Sequence, residues 1–166
     1  MKIICLLGTV GSGIDSIYGA LKRWTDVELI ELKMEDVRNK KPASDSNSIY
    51  IMEIESVDEF NYMTIVSGYK DNLVPIVLIA SPRTRISRLL NLIPDEDLTI
   101  NDFLNLLEYK ESMLEMLTDK EDGSGIYIPK DNWFFNDKSP IGALSSIKRF
   151  IIQATREDRI KTKEGD

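Results

Sequence analysis

The chain has no histidine and a single cysteine among its 166 residues. The first absence removes His-based triads, His metal ligands and imidazole proton shuttles. The second removes any intrachain disulfide, and Cys5 lies inside an apolar run where a buried structural thiol is expected rather than a nucleophile. No apolar run approaches the roughly 20 residues that a membrane helix needs, nor is there a signal-peptide core. Positive charge is also short: 21 Lys and Arg stand against 28 Asp and Glu, a net charge of −7. That balance disfavours nucleic acid and anionic membranes as partners, and the expected compartment is the cytoplasm. What remains is an ordinary soluble composition, 42% apolar and 30% charged, in a length that suits one domain over residues 1–154 with a charged, frayed tail over 155–166.

One further absence is local. Leu6-Leu7-Gly8-Thr9-Val10-Gly11-Ser12-Gly13-Ile14-Asp15-Ser16 follows an apolar strand candidate, Ile3 to Leu7, and precedes apolar residues at helical spacing, Ile14, Ile17, Tyr18 and Leu21. Strand, Gly-rich turn and helix are the order of a phosphate-binding loop, in which Gly at positions one and six is followed by Lys and then Ser or Thr. Gly8 and Gly13 keep the spacing. Ile14 stands at the Lys position and Asp15 at the Ser/Thr position. Gly8, Gly11 and Gly13, with Ser12 and Ser16 beside them, can still offer backbone N–H groups at the positive end of a helix. Asp15 repels a phosphate there, yet a carboxylate can hold Mg²⁺, which makes Asp15 the candidate metal ligand. Three readings stand for this loop: a degenerate site that still binds nucleotide, a relic without ligand, and an atypical phosphotransferase.

Strands and helices alternate along the rest. Strands are expected at about 27–32, 49–54 and 73–80, with pairing in the last beginning only after Pro75. Ser56 and Glu59 form a capping-box signature. A helix from Ser81-Pro82 carries an apolar stripe at Ile86, Leu89, Leu90 and Ile93, and Asn101 is the expected cap of a longer helix to about Leu117. After Trp133-Phe134-Phe135, Ser139 and Pro140 suit the first positions of a last helix, with Ile141, Leu144, Ile147 and Ile151 inward. Alternation of this kind implies an α/β fold with a largely parallel central sheet. Glu53 and Glu55 fall near the end of a central strand, where a carboxylate could serve a metal or simply face solvent.

Three stretches carry a family resemblance. Arg38-Asn39-Lys40-Lys41-Pro42, with Tyr50 twelve residues after Arg38, resembles the nucleotide-binding segment of guanylate kinases. Leu73–Ile76 followed by Ser81-Pro82-Arg83-Thr84-Arg85-Ile86-Ser87-Arg88 is similar to that family's strand and Arg-bearing helix. Phe135-Asn136-Asp137 resembles its Asn-Asp turn. The resemblance implies a three-layer P-loop kinase-like fold and an ancestral transfer of a phosphoryl group from ATP to a nucleoside monophosphate, weak or lost without the Lys. It implies that Arg38 and Lys41 hold the acceptor phosphate, that Tyr50 touches phosphate or base, and that Arg85 and Arg88 face the transferred group. Asn136 would flank the adenine, with ATP and Mg²⁺ as cofactors in an active protein. Ser44 stands near the family's guanine-reading Glu, so base preference is not carried over. Each of these residues also has a plainer reading, as loop charge, solvated helix face, strand packing or turn. The alternative function is a non-catalytic protein-interaction module on the same scaffold, and a third reading is an unrelated doubly wound domain.

Overall fold

The computed structural model describes residues 1–39, 47–91 and 128–161. Five parallel strands form one sheet: β1 Lys2–Gly8, β2 Leu29–Glu31, β3 Ile49–Glu53, β4 Leu73–Ile79 and β5 Trp133–Phe135, in the order β2-β3-β1-β4-β5. Among the described residues five α-helices accompany them: α1 Ile14–Lys22, α2 Met34–Arg38, α3 Val57–Asn61, α4 Pro82–Leu90 and α5 Leu144–Lys161. The predicted α/β class with a parallel sheet is what the chain adopts. Asn101 and the helix expected after it lie outside the described residues.

β1 is central and apolar on both faces because both faces are covered. Ile3, Cys5 and Leu7 join Met52, Ile54, Phe60 and Met63 in one core, whereas Ile4 and Leu6 join Ile17, Leu21, Ile51, Ile147 and Ile151 in the other. Period-two alternation assigns the strand residues to their layers, and α1 and α5 supply the second layer from one side. A buried Leu or Ile side chain contributes about 1.5–3 kcal/mol, so this double-sided burial is the main source of stability. Cys5 is fully buried and its thiol is pushed up to about 12 by that burial. It is a packing residue, as expected.

Four local expectations are corrected. Pairing in β4 begins at Leu73, and Pro75 is in register with Cys5 of β1. Within a strand, the N–H and C=O of one residue point to the same side, and the Pro75 carbonyl accepts from Asn132 Nδ2 at 2.7 Å, on the β5 side. The missing N–H therefore faces the side where β5 pairing begins only at Val77. The α4 stripe holds only in part: Leu89 is buried as expected, but Leu90 is 67% exposed, Ile86 is exposed and Arg85 is buried instead, while Ile93 lies outside the described residues. This helix buries a polar side chain because part of what it packs against is glycine-loop backbone. Ser139 and Pro140 do not open the last helix. They form a turn, with the Gly142 amide donating to the Ser139 carbonyl, and α5 starts at Leu144 with Ile141 left exposed. Finally, α5 runs to Lys161, past the point where the frayed tail was expected to begin.

Candidate functional site

At the carboxyl ends of β1 and β3 the chain departs to opposite faces, into α1 and α3. A parallel sheet opens a crevice at such a point. A cavity of about 340 Å³ lies there, lined by the loop from Thr9 to Ser16, by Glu53 at the end of β3, by Arg88, Leu89 and Asn91 around the end of α4, and by Pro140.

The loop's conformation follows from its glycines. Gly11 and Gly13 adopt φ of 75° and 90°, the left-handed region. A Cβ on Gly11 would lie 2.9 Å from the Arg85 carbonyl oxygen. One on Gly13 would lie 2.6 Å from the Pro140 oxygen and 2.7 Å from Asn136 Nδ2. Torsion and close approach both demand glycine. The Ser12 amide closes a tight turn by donating to the Thr9 carbonyl at 3.0 Å. Ser12 Oγ and Thr9 Oγ1 are buried and have no hydrogen-bond partner among the described residues.

Two side chains hold the loop from outside. Arg88 Nη1 donates to the carbonyls of Gly11 at 3.1 Å and Ser12 at 2.9 Å, and its Nη2 donates to the Asn136 carbonyl. Asn136 is buried; its Nδ2 donates to the carbonyls of Ser12 at 2.8 Å and Pro140 at 2.9 Å. Its Oδ1 accepts the Ala143 amide at 3.1 Å, which secures the entry to α5. Asp137 accepts the Ser81 amide at 2.6 Å and so closes the start of α4. The Asn136-Asp137 pair thus ties β5, the loop, α4 and α5 together. Burial pulls the Arg88 guanidinium down from its ordinary value, with Asp137 pulling the other way. Arginine nonetheless stays charged.

The start of α1 is open. Its N-cap, Gly13, offers no side chain, and the first intrahelical bond runs from the Ile17 amide to the Gly13 carbonyl. Among the described residues nothing accepts from the amides of Gly13, Ile14, Asp15 or Ser16. Asp15 is exposed at the cavity and does not fold back onto these amides. Ile14 is buried in the core shared with Ile17 and Leu21, so the position that would carry the Lys is used for packing. Among the described residues, the charged ones lining the cavity are Asp15, Glu53 and Arg88. One turn further along α1, Tyr18 donates to Glu31 at 3.0 Å and Lys22 pairs with the same carboxylate at 2.7 Å. Burial and the Glu31 hydrogen bond raise the Tyr18 phenol above its ordinary value.

Of the residues singled out from the sequence, Gly11, Gly13, Asp15, Ser16 and Arg88 come together around this cavity, with Gly8 at its strand end and Ser12 and Asn136 behind it. Arg85 is 4% exposed and lies under Gly11 rather than along the cavity. Arg38, exposed in the last turn of α2, is not part of the lining. Tyr50 is in register with Ile3, five residues below Gly8, and packs on the core with Met1. At about 3.3 Å per residue this is some 16 Å from the loop. Lys41 lies outside the described residues. Thr9, Leu89, Asn91 and Pro140 also line the cavity without having been singled out. Thr9 was within the motif; the other three had no local signal, because the orientation of α4 and of the Pro140 turn is tertiary.

No family model and no curated protein sequence matches this chain. Solved structures do. An uncharacterized protein from Eubacterium ventriosum is similar over 94% of this chain and 99% of its own, with 12% identity and a TM-score of 0.56. A gluconokinase from Sinorhizobium meliloti is similar over 96% and 97%, with 11% identity and a TM-score of 0.56. A sugar kinase from Janibacter sp. is similar over 94% and 97%, with 12% identity and a TM-score of 0.50. At such identities the likeness is one of fold: the α/β architecture is that of kinases such as gluconokinase. It does not single out guanylate kinase.

Proposed function

We propose that this protein binds a nucleotide at the Gly8–Ser16 loop, on a scaffold of guanylate-kinase type whose ancestral reaction is phosphoryl transfer from ATP to a nucleoside monophosphate. Transfer itself is weak or absent. The observation that carries the reading is the open start of α1: amides at the cavity with no acceptor among the described residues, the first of them, that of Gly13, backed by the Ser12 carbonyl turned away into Arg88 and Asn136. Helix amides with nothing to accept from them are suited to a phosphate.

The donor set also fits a divalent cation, since Asp15 and Glu53 line the same cavity and Mg²⁺ is commonly held by one or two carboxylates together with phosphate oxygens. Bound there, Mg²⁺ would neutralise phosphate charge. The protein's own contribution is the amide cradle, the buried Thr9 hydroxyl, and exclusion of water by Leu89 and Pro140. Among the described residues lining the cavity, none is a cation free to follow the migrating charge. Ile14 is apolar and Arg88 is engaged with carbonyls. Phosphoryl transfer depends on positioning and on charge stabilisation, so loss of the second leaves binding without efficient turnover.

Two measurements on the purified protein test this. Titration calorimetry with ATP, GMP and dGMP, each with Mg²⁺, is expected to detect binding, and melting temperature should rise with ligand by mass action. An ADP-release assay should show turnover far below the roughly 1–100 s⁻¹ of ordinary kinases. Gluconate, offered beside GMP as acceptor, discriminates between the acceptor named by the resemblance and that of a structural neighbour. Ordinary turnover overturns the weak-transfer reading. No binding and no shift at millimolar nucleotide overturns the nucleotide site and favours the interaction module.

A further inference from the structure

We infer that Arg88 is a positioning residue for the loop rather than a catalytic one: it holds two peptide groups in the orientation that leaves the Gly13 N–H for the ligand and keeps the Ser12 N–H in the turn with Thr9. The inference rests on the phosphate-site reading above. A trans peptide is planar and its N–H points opposite to its C=O. Fixing the Ser12 carbonyl on Arg88 and Asn136 therefore fixes the Gly13 amide on the other side of the peptide. Fixing the Gly11 carbonyl does the same for the Ser12 amide, which closes the turn with Thr9.

These are also the peptides most free to turn over. The segment runs from Gly11 to Gly13, both in the left-handed region, and neither has a Cβ to restrict it. A flip of the Ser12–Gly13 peptide would aim a carbonyl oxygen at a bound phosphate. Arg88 opposes that flip with hydrogen bonds to three carbonyls, on Gly11, Ser12 and Asn136. A planar guanidinium fork can span three acceptors in fixed geometry, whereas a single ammonium cannot. The cation behind the peptides also polarises them, strengthening their amides as donors. Arg88 lines the cavity with part of its side chain, but its guanidinium donors are spent on backbone carbonyls, and through these it serves the site.

The test compares Arg88→Ala, Arg88→Lys and the parent protein by ¹H–¹⁵N NMR without ligand, then by titration with Mg²⁺-ATP. In Arg88→Ala the Gly11, Ser12 and Gly13 amide signals should shift or broaden, and ATP affinity should fall about tenfold, the scale of a charge-assisted hydrogen bond. Millimolar methylguanidinium should restore both. Arg88→Lys should stay as impaired as the alanine variant despite keeping its charge. If Arg88→Ala does not fold, Arg88→Gln provides the same comparison, because its amide cannot span the three carbonyls. Unchanged loop amides in the variants overturn the inference, as does parental ATP affinity in Arg88→Lys. If the parent protein binds neither ATP nor inorganic phosphate, the functional reading fails, while the ligand-free amide signals still decide the role of Arg88.

Discussion

Two helix starts lie close to one another at the same end of the sheet, and they are finished in opposite ways. At α4, Ser81 Oγ accepts the Thr84 amide, the Ser81 amide donates to Asp137, and Pro82 occupies the first turn, where an N–H is not needed. At α1, the N-cap is a left-handed glycine with no side-chain bond, and the first-turn amides are left open at a cavity. A third start, α3, is finished like α4: Ser56 Oγ accepts the Glu59 amide, while Glu59 reaches back to the Glu55 amide. A glycine at the N-cap in place of a capping side chain forgoes roughly a few tenths of a kcal/mol. Among the described residues, the chain leaves those donors open at the loop that other side chains hold in place. The contrast locates the site better than the motif does.

The largest disruption of the contrast should come from Gly13→Ala. Its Cβ meets the Pro140 oxygen and Asn136 Nδ2, and its φ of 90° strains any L side chain. We expect a loss of about 2–4 kcal/mol in urea unfolding, with loss of any nucleotide binding. Ile14→Lys comes next. It restores the motif's charge but removes a buried side chain from the α1 core, and should lower stability by about 2–3 kcal/mol by the same measurement. Paired with Asp15→Ser, it should raise phosphate affinity in calorimetry if the amide cradle is intact.

The capped start gives the smallest effects. Ser81→Ala should cost about 1 kcal/mol and leave the open loop unaffected. At Asp137 the effect is one of pH. The Ser81 amide is the main cause that holds its carboxyl below its ordinary value of 3.8. A depressed folded pKa means that the carboxylate's contribution is complete above that ordinary value and is lost as pH falls through the lower folded one. Acid unfolding followed by circular dichroism should therefore show a shallower low-pH limb in Asp137→Asn.

Much of the fold was legible because its signals are local. The apolar run of β1, the 14/17/21 spacing of α1 and the Ser56 cap each depend on residues within a few positions of one another. The loop was legible as a motif for the same reason. Misreadings arose where distant segments decide. In α4 the periodicity favoured Ile86 and Leu90 beside Leu89, yet the helix turns Arg85 inward with Leu89 because the glycine loop lies against it. Ser139-Pro140 has the composition of a helix start. Asn136, by holding the Pro140 carbonyl and the Ala143 amide, imposes a turn there and delays α5 to Leu144.

The sequence by itself determined the strand-loop-helix unit, the two-sided core around β1, the absence of histidine chemistry and the loss of the motif's cation at Ile14. All of these follow from composition and short-range spacing. Only the tertiary structure decided which way the loop's peptides face. It set Arg88 and Asn136 against the loop's carbonyls, Asp15 away from the amides, and Tyr50 against the core below. Peptide orientation in a glycine segment is nearly free in the isolated chain, so it is fixed only by partners that folding brings from α4 and from the turn after β5.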